Sequence, residues 1–150
     1  MKSEPSTFGI DDLEAAPRKT TSWEGVRNFQ ARNMLRDDMQ AGDLAFFHHS
    51  SCPEPGIAGI IEVVRAGYPD ASAWDGNSPC FDAQSPQNKP LWYTVDVRLK
   101  QRWPTVLPLA VLREHAAGEL DGMLLLRRGN RLSITPVTMP HWKFICSLAR

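Results

Sequence analysis

The apolar residues of this chain fall in short runs, and the period of those runs changes from one segment to the next. Over Tyr93-Thr94-Val95-Asp96-Val97-Arg98-Leu99-Lys100 apolar and polar positions alternate, which predicts a strand with one buried face over 92–103. LAFFHH (44–49) and the Ile- and Val-rich IAGIIEVVRA (57–66) are near-continuous apolar runs and predict two more strands. Ala31, Met34 and Leu35 share a stripe at helical spacing, with Asn28, Arg32 and Arg36 on a neighbouring face. That pattern predicts a helix from Val26, closing at 41–43 with Gly42 in the C-terminal position.

Shorter signals fill the remainder. IDDLEAA predicts a brief helix with Asp11 or Asp12 near its start and Pro17 closing it. LPLAVLREHAA predicts a helix with Pro108 early and Gly118 beyond its end. LLLRRGNRLSI reads as strand, Gly-Asn turn and strand, with the turn at 129–130. Thr138 is placed to cap a final helix, MPHWKFICSLA, whose Trp142, Ile145 and Cys146 face the core. Residues 69–90 hold four prolines and read as a long irregular excursion, a feature often tied to function. The sum is five or more strands with short helices between them. It favours a mostly antiparallel, curled sheet over a Rossmann-type alternation.

Composition narrows the function classes. At 150 residues the chain fits one domain that buries a core unaided, and 42% hydrophobic content with 23% charge is ordinary for such a domain. No apolar run approaches a membrane span, and MKSEPSTFG has neither region of a signal peptide, so a cytoplasmic protein is expected. Cys52, Cys80 and Cys146 are odd in number and widely spaced, which predicts thiols rather than a disulfide framework. Seventeen basic residues balance seventeen acidic ones, so no global field draws the chain onto phosphate backbone. The distribution is less even. Arg18, Lys19, Arg27, Arg32 and Arg36 share a window with the single acid Glu24, and Arg127, Arg128 and Arg131 form a second knot.

Candidate chemistry is sparse. His48 and His49 precede Ser50, Ser51 and Cys52, but strand neighbours point to opposite faces, and HHSSC has no nucleophile-elbow context. No HExxH motif, P-loop or GxGxxG occurs, so neither a metal nor a nucleotide cofactor is expected. SWEGVRNFQARN (22–33) is more informative. It packs Trp, Phe, Arg, Asn and Gln together, the flat faces and hydrogen-bonding edges that hold an unstacked base. The same residues also suit a helix face packed on a core.

KSEP (2–5), WEGVRNFQARN (23–33), GDLAFFHHS (42–50), PGIAGIIEV (55–63) and RRGNRLSITPVT (127–138) together resemble the EVE-domain family from end to end. YPD (68–70) and WYTVDV (92–97) also sit where that family has similar segments. The resemblance implies one PUA-like domain over 1–150, a β pseudobarrel with peripheral helices, related to the YTH domains. It implies a non-enzymatic reader of a modified base in nucleic acid, with modified cytosine in DNA favoured over RNA. It further implies no cofactor, and a stand-alone reader whose effector activity comes from a protein partner.

Carried over position by position, the resemblance implies a pocket bounded by Lys2, Ser3 and Glu4, by Trp23, Val26, Arg27 and Asn28, and by Gln30, Arg32 and Asn33 at the rim. His49 and Ser50 close the other side, with Arg131, Leu132 and Ser133 nearby. Trp23 is then expected as a wall, Ser3, Asn28 and Ser50 as edge contacts, and Arg27, Arg32 and Arg131 as phosphate contacts. Two departures stand out: His48 replaces the family's usual Tyr, and Met1 abuts KSEP where relatives begin earlier. The second implies a shortened first strand or a start further upstream. The competing reading is a nucleoside binder with an enzymatic step at His49 or Cys52. A third is an interaction module with a relic pocket.

Overall fold

The structure, a computed structural model, describes residues 1–149. Five strands form one open sheet: β1 (Lys2–Ser3), β2 (Thr20–Ser22), β3 (Leu44–His49), β4 (Gly56–Pro69) and β5 (Tyr93–Pro108). Their order is β1-β3-β4-β5-β2; β1 runs parallel to β3 and every other pairing is antiparallel. The sheet is curled but not a closed barrel. Helices α1 (Pro5–Phe8), α2 (Ile10–Ala15), α3 (Phe29–Asn33), α4 (Leu109–Glu114) and α5 (Met139–Leu148) surround it. Among the described residues, no helix is long and apolar enough to cross a membrane.

The apolar runs of β3 and β4 arise because both sheet faces are covered. Phe47, Ile61, Val95 and Val97 join Leu13, Trp23, Ala31 and Leu35 in one cluster. Their neighbours Phe46 and Ile60 point the other way, toward Trp103, Leu112, Leu120 and Ile145. In β5 the alternation changes sides. Val95, Val97 and Leu99 face the first cluster, yet Trp103 and Leu107 face the second. Ile61 pairs with Leu99 while Ile60 pairs with Gln101, so β5 carries an extra residue there. Such a bulge reverses side-chain parity and bends the strand. Gly59 lies beside it, where a Cβ would collide with the Gln101 carbonyl oxygen.

Several expectations are corrected in detail. The helix predicted from Val26 begins at Phe29, because residues 23–28 form a loop tied to other segments: Trp23 N–H donates to the Val95 carbonyl and Gly25 N–H to Asp70. It passes into a wide π-type turn over Met34–Asp38, closed by Met39 N–H on the Met34 carbonyl. Gly42 lies beyond it, at positive φ in the turn into β3. The hairpin at 129–130 does not form. Leu124–Leu126 make one 3-10 turn, and the Asn130 side chain takes Leu124 O and Leu132 N–H, the groups a hairpin ladder needs. The helix expected from Leu107 is Leu109–Glu114, because Pro108 still belongs to β5. By contrast, β3 spans 44–49, α2 starts at Ile10, and Thr138 caps α5 through His141 N–H. β1 is only two residues long, and the Ser133 carbonyl accepts the Lys2 N–H on its outer edge.

Candidate functional site

A cavity of about 600 Å³ opens beside the short strands β1 and β2. Lys2, Ser3 and Glu4 form one wall and residues 21–27 the opposite one, with Ser133 and residues 78–80 closing the sides. Its apolar surface comes from Trp23, Val26, Phe8 and Pro79, its hydroxyls from Ser3, Thr21, Ser22 and Ser133, and its rim carboxylates from Glu4 and Glu24. Trp23 is 7% exposed and meets Phe47 edge to face at 5.5 Å, so its ring is a fixed wall. The Ser3 hydroxyl donates to the Phe8 carbonyl (2.6 Å), leaving its oxygen as an acceptor.

The 23–28 wall is held from behind by Arg27. Its Nε and Nη2 donate to the Cys80 carbonyl at 3.2 and 2.6 Å, and its Nη1 to Asp70 at 3.0 Å. The remaining two N–H groups go to Val26 O and Ser72 Oγ. All five donors of the guanidinium are therefore spent inside the protein. Burial by itself would raise the Asp70 carboxyl. Hydrogen bonds from Ser72, Gly25 N–H and Arg27 outweigh it and hold the group below the usual carboxylate range. The irregular excursion 69–90 is thus part of the cavity, tied by Asp70 and Cys80 to the loop it faces.

A family model described as the EVE domain matches residues 1–148. The chain belongs to the EVE-domain family. Thymocyte nuclear protein 1 of Homo sapiens is 42% identical over 163 residues, covering 99% of this chain and 72% of that protein. A Schizosaccharomyces pombe protein is 41% identical over 96% of this chain, which spans 60% of that relative's length. A Pseudomonas putida crystal structure matches with a TM-score of 0.94 and 45% identity, over 100% of this chain and 97% of that one. The crystal structure of human THYN1 protein in complex with 5-methylcytosine containing DNA matches with a TM-score of 0.94 and 42% identity, over 99% and 95%.

The cavity of this EVE domain gathers seven of the residues expected at a site: Lys2, Ser3, Glu4, Trp23, Val26, Arg27 and Ser133. The others lie elsewhere. Asn28 caps α3, its Oδ1 accepting Ala31 N–H at 3.0 Å. Gln30 and Asn33 are exposed on α3, and Arg32 bonds Asn33 and the Leu91 carbonyl while lying over Phe29. His49 turns its Nε2 to the Ile10 N–H at 3.1 Å and serves the start of α2. Arg131 and Leu132 line no part of the cavity, and Ser50 lines a separate one together with Lys2.

Sequence reasoning did not single out Phe8, Thr21, Ser22, Glu24, Gly25 or the 78–80 turn. Glu24 and Gly25 lie within the quoted WEGVRN motif, so that motif held the missing signal. Cys52 lines neither cavity, and His49 turns its Nε2 to a backbone N–H rather than to a nucleophile.

Proposed function

We propose that this EVE domain binds nucleic acid carrying a modified base, with 5-methylcytosine in DNA the favoured ligand, and that it catalyses no reaction. The observation that carries the reading is likeness over 99% of the chain to human THYN1 protein, whose structure holds 5-methylcytosine containing DNA. The cavity beside β1 and β2 supports it. A base turned out of its stack costs a few kcal/mol and is repaid by stacking and edge hydrogen bonds in an enclosed pocket. Trp23 and Val26 offer apolar contact for a ring and its methyl group. Glu4 or Glu24 accepts from the exocyclic amine of cytosine, the pairing a carboxylate makes with that base. The neutral net charge fits a protein that grips one base rather than a long tract of backbone. A separate protein partner then supplies any effector step.

Fluorescence anisotropy with duplexes and single strands of one sequence, in DNA and RNA, differing only in the cytosine modification, tests this reading. It predicts tightest binding to 5-methylcytosine DNA; equal affinity for every modification overturns it.

A further inference from the structure

A second cavity of about 600 Å³ shares Lys2 with the first. It is bounded by the 48–51 end of β3, by α4 and by residues 125–130. Four cationic side chains line it, Lys2, Arg113, Arg127 and Arg128, and no carboxylate does. Among the described residues none of the four takes part in an ion pair, unlike Arg27, Arg36, Arg98, Lys100 and Arg102. Like charges gathered around one hollow repel one another, and an anion between them removes that cost.

The loop that carries two of these cations is built to hold its shape. The Asn130 amide donates to Leu124 O at 2.6 Å, its Oδ1 accepts Leu132 N–H at 3.0 Å, and its backbone N–H returns to Arg127 O. Gly129 completes the turn at φ +78, a conformation that favours glycine. Arg127 and Arg128 stand exposed on the turn so formed.

A second, independent feature lies in the same wall. His48 lines this cavity and is 4% exposed, yet neither Nδ1 nor Nε2 has a hydrogen-bond partner. Buried polar atoms are nearly always satisfied, so an orphaned imidazole beside a cationic hollow is itself a reason to expect a ligand. Both nitrogens are covered, so a bound anion or its water meets the imidazole N–H only where the wall gives way around it.

We propose that this second cavity is a phosphate site, occupied by a backbone phosphate of the nucleic acid whose modified base enters the first cavity. The proposal rests on the base-binding reading, and Lys2, which lines both cavities, is the link between them. Base selectivity then belongs to the first cavity, and salt-dependent affinity to the second.

The test compares wild type with R127Q/R128Q, and separately with R113Q from another element. Ligands are a 5-methylcytosine duplex, the unmodified duplex of the same sequence, and inorganic phosphate. All three positions are exposed, and thermal melts verify that each variant folds. The expected result for R127Q/R128Q is an equal loss on both duplexes, about tenfold, with the slope of log affinity against log salt falling by about two. R113Q is expected to lower the slope by about one. The preference for the modified duplex stays intact.

Unchanged affinity and slope in both variants overturn the proposal. A phosphate-induced rise in melting temperature that the variants lose, with duplex binding untouched, assigns the site to free phosphate and overturns the backbone assignment. Equal wild-type affinity for the two duplexes with the slope loss intact refutes the base reading and upholds the phosphate site.

Discussion

Arg27 and Asp70, 43 residues apart in sequence, meet at 3.0 Å behind the cavity wall, where Asp70 is 1% exposed and also accepts the Gly25 N–H. The pair joins the loop that follows β2 to the excursion between β4 and β5. Removing Arg27 leaves a buried carboxylate without its cation, a change that costs about 3 kcal/mol or more. R27A is expected to lower the urea midpoint accordingly and to reduce the preference for modified over unmodified DNA, because the wall it holds lines the base cavity. R27K keeps the charge but loses the forked grip on Cys80 O, so an intermediate loss is expected.

Gly25 sits at φ +87, and a Cβ there would lie 2.8 Å from Cys80 Sγ. G25A is expected to destabilise by about 1–2 kcal/mol through backbone strain alone, with the sulfur clash adding to it. In G25A/C80G the clash is gone and the strain remains. Denaturation is therefore expected to show the pair destabilised by less than the sum of the two single variants.

His48 is pushed down to about 4, by burial first and by nearby positive charge second. Its folded value lies below its ordinary one of 6.5, so the unfolded chain binds the extra proton first as pH falls. The stabilisation is complete above pH 6.5 and is lost as pH drops toward 4, by about 3 kcal/mol. Burial also lowers His49, whose Nε2 must stay unprotonated to accept Ile10 N–H, so it acts in the same direction. Asp70, held low, contributes its loss only in more acid solution. Urea midpoints measured between pH 4 and 7 are expected to fall steeply for wild type. They are expected to fall less for His48→Tyr, which loses the His48 contribution.

Glu24 is exposed at the cavity rim, so its removal bears on binding more than on stability. Glu24→Gln and Glu4→Gln are expected to leave the melting temperature within a degree or two. One of them is expected to weaken cytosine-containing ligands by about 1–3 kcal/mol, the worth of a good base-edge contact. Anisotropy titrations identify which carboxylate makes that contact.

The parts of the fold that were legible in the sequence are those set by local rules. β3 follows from its apolar run, α2 from Asp12 accepting the Gly9 N–H, and α5 from the Thr138 cap. The side change in β5 was not legible, because the extra residue is defined only by the register against β4. The KSEP and WEGVRN motifs led to a real cavity. Their polar residues were harder to assign, because a donor's partner lies far away in sequence. Arg27 has the composition of a phosphate contact, yet it is consumed by Asp70, Ser72 and Cys80. Asn28 looked like a base-edge contact, and its position just before a helix commits its Oδ1 to a cap. The 124–134 segment carried a hairpin's turn residues, but Asn130 satisfies the backbone groups locally.

The central claim is that the cavity between Lys2 and the 21–27 loop holds the distinguishing base. Ser133 meets β1 through its backbone carbonyl, a bond any residue there can keep, and it lines that cavity, so Ser133→Phe places a ring inside it. The decisive measurement is the ratio of affinities for 5-methylcytosine and unmodified duplexes in this variant and in wild type. The account predicts a ratio well above one in wild type that collapses to one in Ser133→Phe, with weak salt-dependent binding retained. A wild-type preference that survives intact in Ser133→Phe contradicts it.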